Sequence, residues 1–281
     1  MRIIQADEIT KAIRDMCIQA NIYLADDVKD AIISSKNNEK EASLASNILE
    51  QLEENLQVAD ELQIPICQDT GMTVVFAEVG QDVFVEGGLI TDAINEGIRQ
   101  GYKEGYLRKS VVGDPIKRKN TGDNTPGIIH YNIVAGDKII FTVAPKGAGS
   151  ENMSRLFMLK PADGIDKVKE VVLNTVEEAG PNACPPLVVG VGIGGNFEEC
   201  AILSKKALVR SIDVRSNIPW AAELEEELLD SINNTGIGPA GLGGRTTALA
   251  VNIETYATHI ACLPVAVNLC CHVNRHVRRV L

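Results

Sequence analysis

The periodicity of the chain changes at Ile64-Pro65, and that change limits the folds open to it. Before it, apolar residues recur at helical intervals. Ile9, Ile13 and Met16 keep the spacing, with Asp7 placed to cap the start. Leu44, Ile48, Leu52 and Leu56 recur every four residues with charges between them, which predicts an amphipathic helix running to Leu62. Proline then ends it, because the residue before a proline is pushed out of the helical region.

Beyond Pro65 the periods mix. Residues 73–79 are β-rich, 91–106 are helical, and 111–126 show little periodicity. A long irregular segment of that kind is often functional. Residues 128–134 and 138–143 are β runs joined by Ala135-Gly136-Asp137, which predicts a hairpin. Residues 146–150 read as a glycine turn from strand to helix, 163–179 as helix, and 187–193 as a buried strand. Residues 197–208 and 221–232 read as helices, 236–244 as a glycine-rich segment, and 247–253 and 260–267 as apolar stretches. The expectation is an α+β fold: a single large mixed domain over 1–281, mainly helical in 1–62 and mixed α/β in 63–281.

The net charge of −11 argues against a nucleic-acid surface, which must be basic. It leaves room for an anionic substrate, since salt screens distant charges beyond about 10 Å. The first ten residues hold no apolar signal core, and the run at 260–271 is interrupted by Pro264 and Asn268. No membrane association is expected, and the chain is expected to be cytoplasmic. Seven cysteines in such a compartment are not read as disulfides.

Those cysteines differ in their surroundings. Cys67 stands in Cys67-Gln68-Asp69-Thr70-Gly71, a thiol, amide, carboxylate and hydroxyl packed between helix and strand. The plain alternative is a tight Asx-type turn around a buried cysteine. Cys184 precedes Pro185-Pro186, which fix the backbone and remove two amide donors. That suits a metal ligand, and equally a simple helix-to-strand connection. Of the adjacent Cys270 and Cys271, the second leads into the polar run 272–276 and is the better ligand candidate. Cys17, Cys200 and Cys262 lie among apolar residues and read as structural. Three distant cysteines fit neither a zinc-finger spacing nor a ferredoxin run. A cluster held that way would leave one iron without a protein thiolate, as a catalytic metal site requires. Arg108 opens the irregular segment, and the amides of 146–150 form a candidate anion nest. His259, among apolar residues, reads as a core histidine or a site residue.

Together these pieces resemble a known family. They are Cys67-Gln68-Asp69-Thr70-Gly71, Leu107-Arg108 with Ser110, Asn120-Thr121-Gly122 with Pro126, Lys146-Gly147-Ala148-Gly149-Ser150, Ala183-Cys184-Pro185-Pro186, Gly243-Gly244, His259, and Cys271 followed by Arg275. In this order, over essentially the whole chain, they are similar to the alpha subunit of two-subunit class I fumarate hydratases and of L(+)-tartrate dehydratase. The chain departs from the fumarases at Ala148, where a third glycine is common, and in carrying Cys270 beside the proposed ligand.

The resemblance implies a [4Fe–4S] cluster on Cys67, Cys184 and Cys271, with one iron open to substrate. It implies substrate contacts from Gln68, Asp69, Arg108, Gly149 and Asn152, with Asp69 catalytic. It also implies a separately encoded beta subunit in a hetero-oligomer, because single-chain relatives continue into a further domain. The expected activity is reversible hydration of fumarate to malate. L(+)-tartrate dehydration is the alternative, and an iron–sulfur scaffold or electron carrier is the distant one.

Overall fold

The computed structural model describes residues 1–281 and is α+β, as the sequence predicts. In chain order the elements are β1 (Arg2–Gln5), α1 (Ala6–Ile22), α2 (Asp26–Asn38), α3 (Leu44–Leu62), β2 (Met72–Gly80), β3 (Val83–Glu86), α4 (Ile90–Glu104), β4 (Ile128–Val134), β5 (Ile139–Lys146), α5 (Ala148–Glu151), β6 (Arg155–Leu159), α6 (Gly164–Ala179), β7 (Leu187–Gly195), α7 (Phe197–Ala207), α8 (Pro219–Asn233), β8 (Ala248–Thr258), β9 (Leu263–Cys270) and β10 (Val277–Val280). None of the helices is long and apolar enough to cross a membrane. Two compact units are built from separated stretches of chain. The first takes Met1–Ala25, Leu56–Ala148 and Arg275–Leu281; the second takes Asp26–Asn55 and Gly149–Asn274.

The first unit is built on a four-stranded sheet in the order β10-β5-β2-β4, beside a two-stranded parallel pair of β1 and β3. α1 and α4 bury Ile9, Ile13, Met16, Ile94, Ile98 and Tyr102 in one core with Val75 and Phe141 of the sheet. The buried residues of α4 are Ala93, Ile94, Gly97, Ile98, Gly101 and Tyr102, one face repeated at helical spacing.

The hairpin expected over 128–143 does not form. β4 pairs parallel with β2, and β5 pairs antiparallel with the other side of β2, so β2 lies between them. The turn is as tight as the sequence suggests, but the end of β2 fills the space across it. Gly80 N–H donates to Lys138 O at 2.8 Å and Gln81 N–H to Val134 O at 2.8 Å. A chain that crosses two strand spacings of about 4.8 Å each needs only a few residues, so local turn chemistry cannot distinguish the two outcomes.

In the second unit a sheet of order β6-β9-β7-β8 carries helices on both faces. Leu187, Val189, Val191 and Ile193 of β7 point to the side of α6 and α8, where Val172, Val176, Leu224 and Leu228 complete the core. The alternate positions of β7 include Gly190 and Gly192, and α7 lies directly on them. A methyl group at Gly192 would stand 2.1 Å from Cys200 O, and one at Gly190 2.2 Å from Ser204 O. Two side-chain periods of opposite size thus set one strand between two helical layers at different distances.

This packing gives a direct expectation. Gly192→Ala forces α7 off the sheet and should cost about 1–3 kcal/mol, the usual range for overpacking a core. Thermal unfolding followed by circular dichroism should show a lower midpoint. An unchanged midpoint would mean that α7 can move without penalty.

Candidate active site

The candidate residues fall in both units. In the first, strand register assembles them. β2 and β5 run antiparallel with Met72 opposite Lys146. The residues just before β2 therefore face those just after β5. Asp69 is the result: its Oδ2 accepts from Ala148 N–H at 2.9 Å and its Oδ1 from Gly71 N–H at 3.1 Å. Both carboxylate oxygens are held by backbone donors, which keeps the group fixed. Gly71 has φ +74°, and a methyl group there would lie 2.7 Å from both the N and the C of Lys146. Only glycine fits that conformation and that approach.

Beside Asp69, the Cys67 thiol is half-buried and donates to Gln68 Oε1 at 3.3 Å, while Gln68 itself is exposed. The irregular segment is tied to the same place. Thr70 Oγ1 donates to Arg108 O at 2.9 Å, and the Arg108 side chain is exposed. Lys146 and Arg275 are instead buried, at 8% and 4% exposure, so Arg108 is the accessible one of these three cations. Arg275 donates through Nη2 to Asp69 O and through Nε to Pro145 O, the latter at 3.3 Å.

In the second unit a different register brings two cysteines together. Val188 of β7 pairs with Cys270 of β9, so the residues preceding β7 lie beside those following β9. His272 closes the arrangement: its backbone N–H and its Nδ1 lie 3.4 Å and 3.1 Å from Cys184 O. A carbonyl can only accept, so the ring proton sits on Nδ1. Cys184 has φ +56° and is exposed, and its N–H donates to Pro181 O at 3.0 Å. The glycine-rich segment supports this turn. Ala240 N–H donates to Pro185 O at 2.8 Å, and a methyl group on Gly241 would be 2.5 Å from Pro181 Cβ.

Cys270 is buried and Cys271 half-buried. A hydrogen bond with Cys270 and burial together push the Cys271 thiol well above its ordinary range. Cys17 and Cys200 are buried, as expected, and burial pushes the Cys17 thiol up to about 12. Cys262 is half-buried on the turn before β9 rather than in the core, with its N–H donating to His259 O at 2.8 Å. The apolar run that suggested burial includes this exposed turn. His259 is exposed as well, its Nδ1 accepting from Ala261 N–H at 3.1 Å. It is not a core histidine. β8 runs parallel to β7, so His259 lies beyond the far end of the sheet from Cys184 and Cys271.

Gly149 and Asn152 are exposed in and just after α5, and Asn152 O accepts from Arg155 Nη1 at 3.2 Å. Within neither unit do three His, Cys, Asp or Glu side chains gather closely enough to bind a metal by themselves. Sequence reasoning missed two residues that touch the Asp69 segment. Tyr102 lies in the stretch 91–106 read as helical and Asn124 in the aperiodic stretch 111–126, and neither is singled out. Neither carries a local signal.

The first unit holds a backbone-anchored carboxylate, and the second an exposed and a half-buried thiol at one end of a sheet, groups able to serve an enzyme. The sequence profile of the fumarate hydratase (Fumerase) family matches residues 10–280, and the chain belongs to that family of hydro-lyases. It is 42% identical over 274 residues to a Methanocaldococcus jannaschii protein provisionally named L(+)-tartrate dehydratase subunit alpha, covering 95% of each chain. It is 32% identical over 272 residues to L(+)-tartrate dehydratase subunit alpha of Escherichia coli strain K12, covering 96% of this chain and 89% of that one.

Two outcomes are expected from this geometry. Brief alkylation of the metal-free chain at pH 8, read by peptide mass spectrometry, should label Cys184 first and leave Cys17 unmodified. Early labelling of Cys17 would contradict its burial. Gly71→Ala should displace Asp69 from Ala148 and lower activity by about 10²-fold, the scale of an ångström-level misplacement.

Proposed function

We propose that this chain is the cluster-carrying alpha subunit of a cytoplasmic [4Fe–4S] hydro-lyase that interconverts a small hydroxydicarboxylate and its alkene. The observation that carries the reading is that Cys184 and Cys271 lie at the same end of the β7–β9 pair, with His272, next to Cys271, against the Cys184 carbonyl. The donor set suits such a group in character. Cys67, Cys184 and Cys271 are all at least partly accessible, as is Cys262 on its turn, while Cys17, Cys200 and Cys270 are buried. Cys67, Cys184 and Cys271 would hold the cluster, and Cys271 gains its thiolate by giving its proton up on ligation. When bound, the cluster supplies a Lewis-acidic iron that polarises the substrate hydroxyl.

The remaining work belongs to side chains and backbone. Arg108 pairs with one substrate carboxylate through its planar fork. Gln68 and Asn152 offer amide groups, and Gly149 an N–H, to the substrate's oxygens. Asp69, held by Ala148 and Gly71, takes the proton from the carbon next to the hydroxyl-bearing one, or orients the group that does so. A dicarboxylate needs two counter-charges. With Lys146 and Arg275 buried, the second comes from another chain, a separately encoded beta subunit. The names of the relatives, which call them alpha subunits, support this.

Fumarate and malate are the substrate pair favoured by the family description. L(+)-tartrate is a second reading, favoured by the relatives' names. Anaerobic reconstitution with iron, sulfide and the partner chain, followed by assays on malate, fumarate and L(+)-tartrate, decides between them. Cys67→Ser, Cys184→Ser and Cys271→Ser should each abolish cluster absorbance and activity, whereas Cys17→Ser and Cys200→Ser should keep both. Loss of the cluster in Cys270→Ser but not in Cys271→Ser would reverse the ligand choice within that pair. Asp69→Asn should lower turnover by at least about 10²-fold. Normal hydration by the reconstituted chain without a partner would refute the two-subunit reading.

A further inference from the structure

The segment that presents Cys67, Gln68 and Asp69 goes on to place three consecutive carbonyls on buried donors. Asp69 O accepts from Arg275 Nη2. Thr70 O accepts from the Tyr102 hydroxyl at 2.5 Å. Gly71 O accepts from the same hydroxyl at 3.1 Å and from Asn124 Nδ2 at 3.1 Å. These donors come from three distant parts of the sequence: the last turn of α4, the end of the irregular segment, and the approach to β10. All three are buried, with Tyr102 and Asn124 at 0% exposure and Arg275 at 4%.

Each donor has a feature that packing alone does not require. Burial pushes the Tyr102 phenol above its ordinary range, so its proton stays on and remains available for donation. Asn124 adopts φ +63°, a conformation asparagine tolerates better than most residues. Its Oδ1 accepts from Ser110 N–H at 2.6 Å and Val111 N–H at 3.2 Å, so one side chain joins the Arg108 segment to Gly71. Arg275 is a buried cation with no carboxylate partner; its donors go to backbone carbonyls and its Nη1 has no acceptor. Burying a charge that way is costly.

The geometry points to Tyr102, Asn124 and Arg275 as a carbonyl clamp that positions Asp69, with Tyr102 at its centre. None of the three touches substrate. They act by denying the Asp69–Gly71 backbone any other orientation, so that the side chains at 67–69 are presented together. Asn124 extends the same control to Arg108. The inference rests on the catalytic role proposed above for Asp69.

Tyr102→Phe tests it, since the ring still fills the core and only the hydroxyl is lost. In the reconstituted holoenzyme kcat should fall at least about tenfold, with KM and cluster absorbance little changed, as expected for a displaced reacting group. Amide hydrogen exchange on the full chain should speed up at least about tenfold in peptides covering 67–73. Asn124→Asp, which keeps the acceptor for Ser110 and Val111 but loses the donor to Gly71, should speed the same peptides and also raise KM. Thr10→Val is the control: it removes a buried hydroxyl bond of 3.0 Å to Ala93 O in the same unit and should leave kcat and those peptides unchanged. Wild-type exchange in both clamp variants, or equal loss of kcat in the control, would overturn the clamp. A wild-type holoenzyme that turns over no hydroxydicarboxylate would instead refute the hydro-lyase reading, and exchange would still decide the clamp.

Discussion

The antiparallel pairing of β2 with β5 is the constraint on which the placement of Asp69 depends. Met72 opposite Lys146 fixes which residues meet beyond the paired strands. A slip of one residue would turn the side chains of β2 to the wrong face and carry Asp69 past Ala148. The core enforces the register, because Val75, Ala77, Phe141 and Val143 must all face α1 and α4. Hydrophobic burial in the core therefore sets the position of a carboxylate beyond the strand ends.

The second unit repeats this logic with a different product. Its register sets Val188 against Cys270 and leaves two thiols at one end of the sheet. Here packing enforces register from both faces, with large side chains toward α6 and α8 and glycines toward α7. Both groups of candidate residues lie just outside strand ends. There the backbone has left its ladder and its amides and carbonyls are available for other partners.

How much of this was legible in the sequence depended on the range of the interaction. The long helices were legible because apolar residues recur at helical spacing, as at Ile9, Ile13 and Met16, which are buried. In α3 the period of Leu44, Ile48, Leu52 and Leu56 located the helix but not its buried face, which is Ala45, Leu49, Leu56 and Ala59. The motif around Asp69 and the exposed Arg108 were legible because several polar types stand close together. Of the adjacent pair Cys270 is buried and Cys271 half-buried, a difference that the sequence shows only through the polar run after Cys271. Strand order was not legible: the turn at 135–137 is a good hairpin turn, yet β2 lies between its arms. His259 misled through its apolar neighbours, which line an exposed turn. Tyr102 and Asn124 could not be found, because a donor to a distant carbonyl looks like any other core or loop residue until the fold closes.

Chain order adds a temporal consequence. Arg275 and β10 belong to the first unit but follow every residue of the second in the sequence. A chain synthesised from its N-terminus makes β2, β5 and Asp69 early and must wait for the last strand of their sheet. Until then the edge of β5 that β10 will cover is unpaired, and Asp69 O lacks the guanidinium that holds it. Asp69 is thus held by a residue that follows it by 206 positions, so a chain cut before Arg275 keeps the carboxylate but loses the guanidinium at its carbonyl and the strand that covers β5.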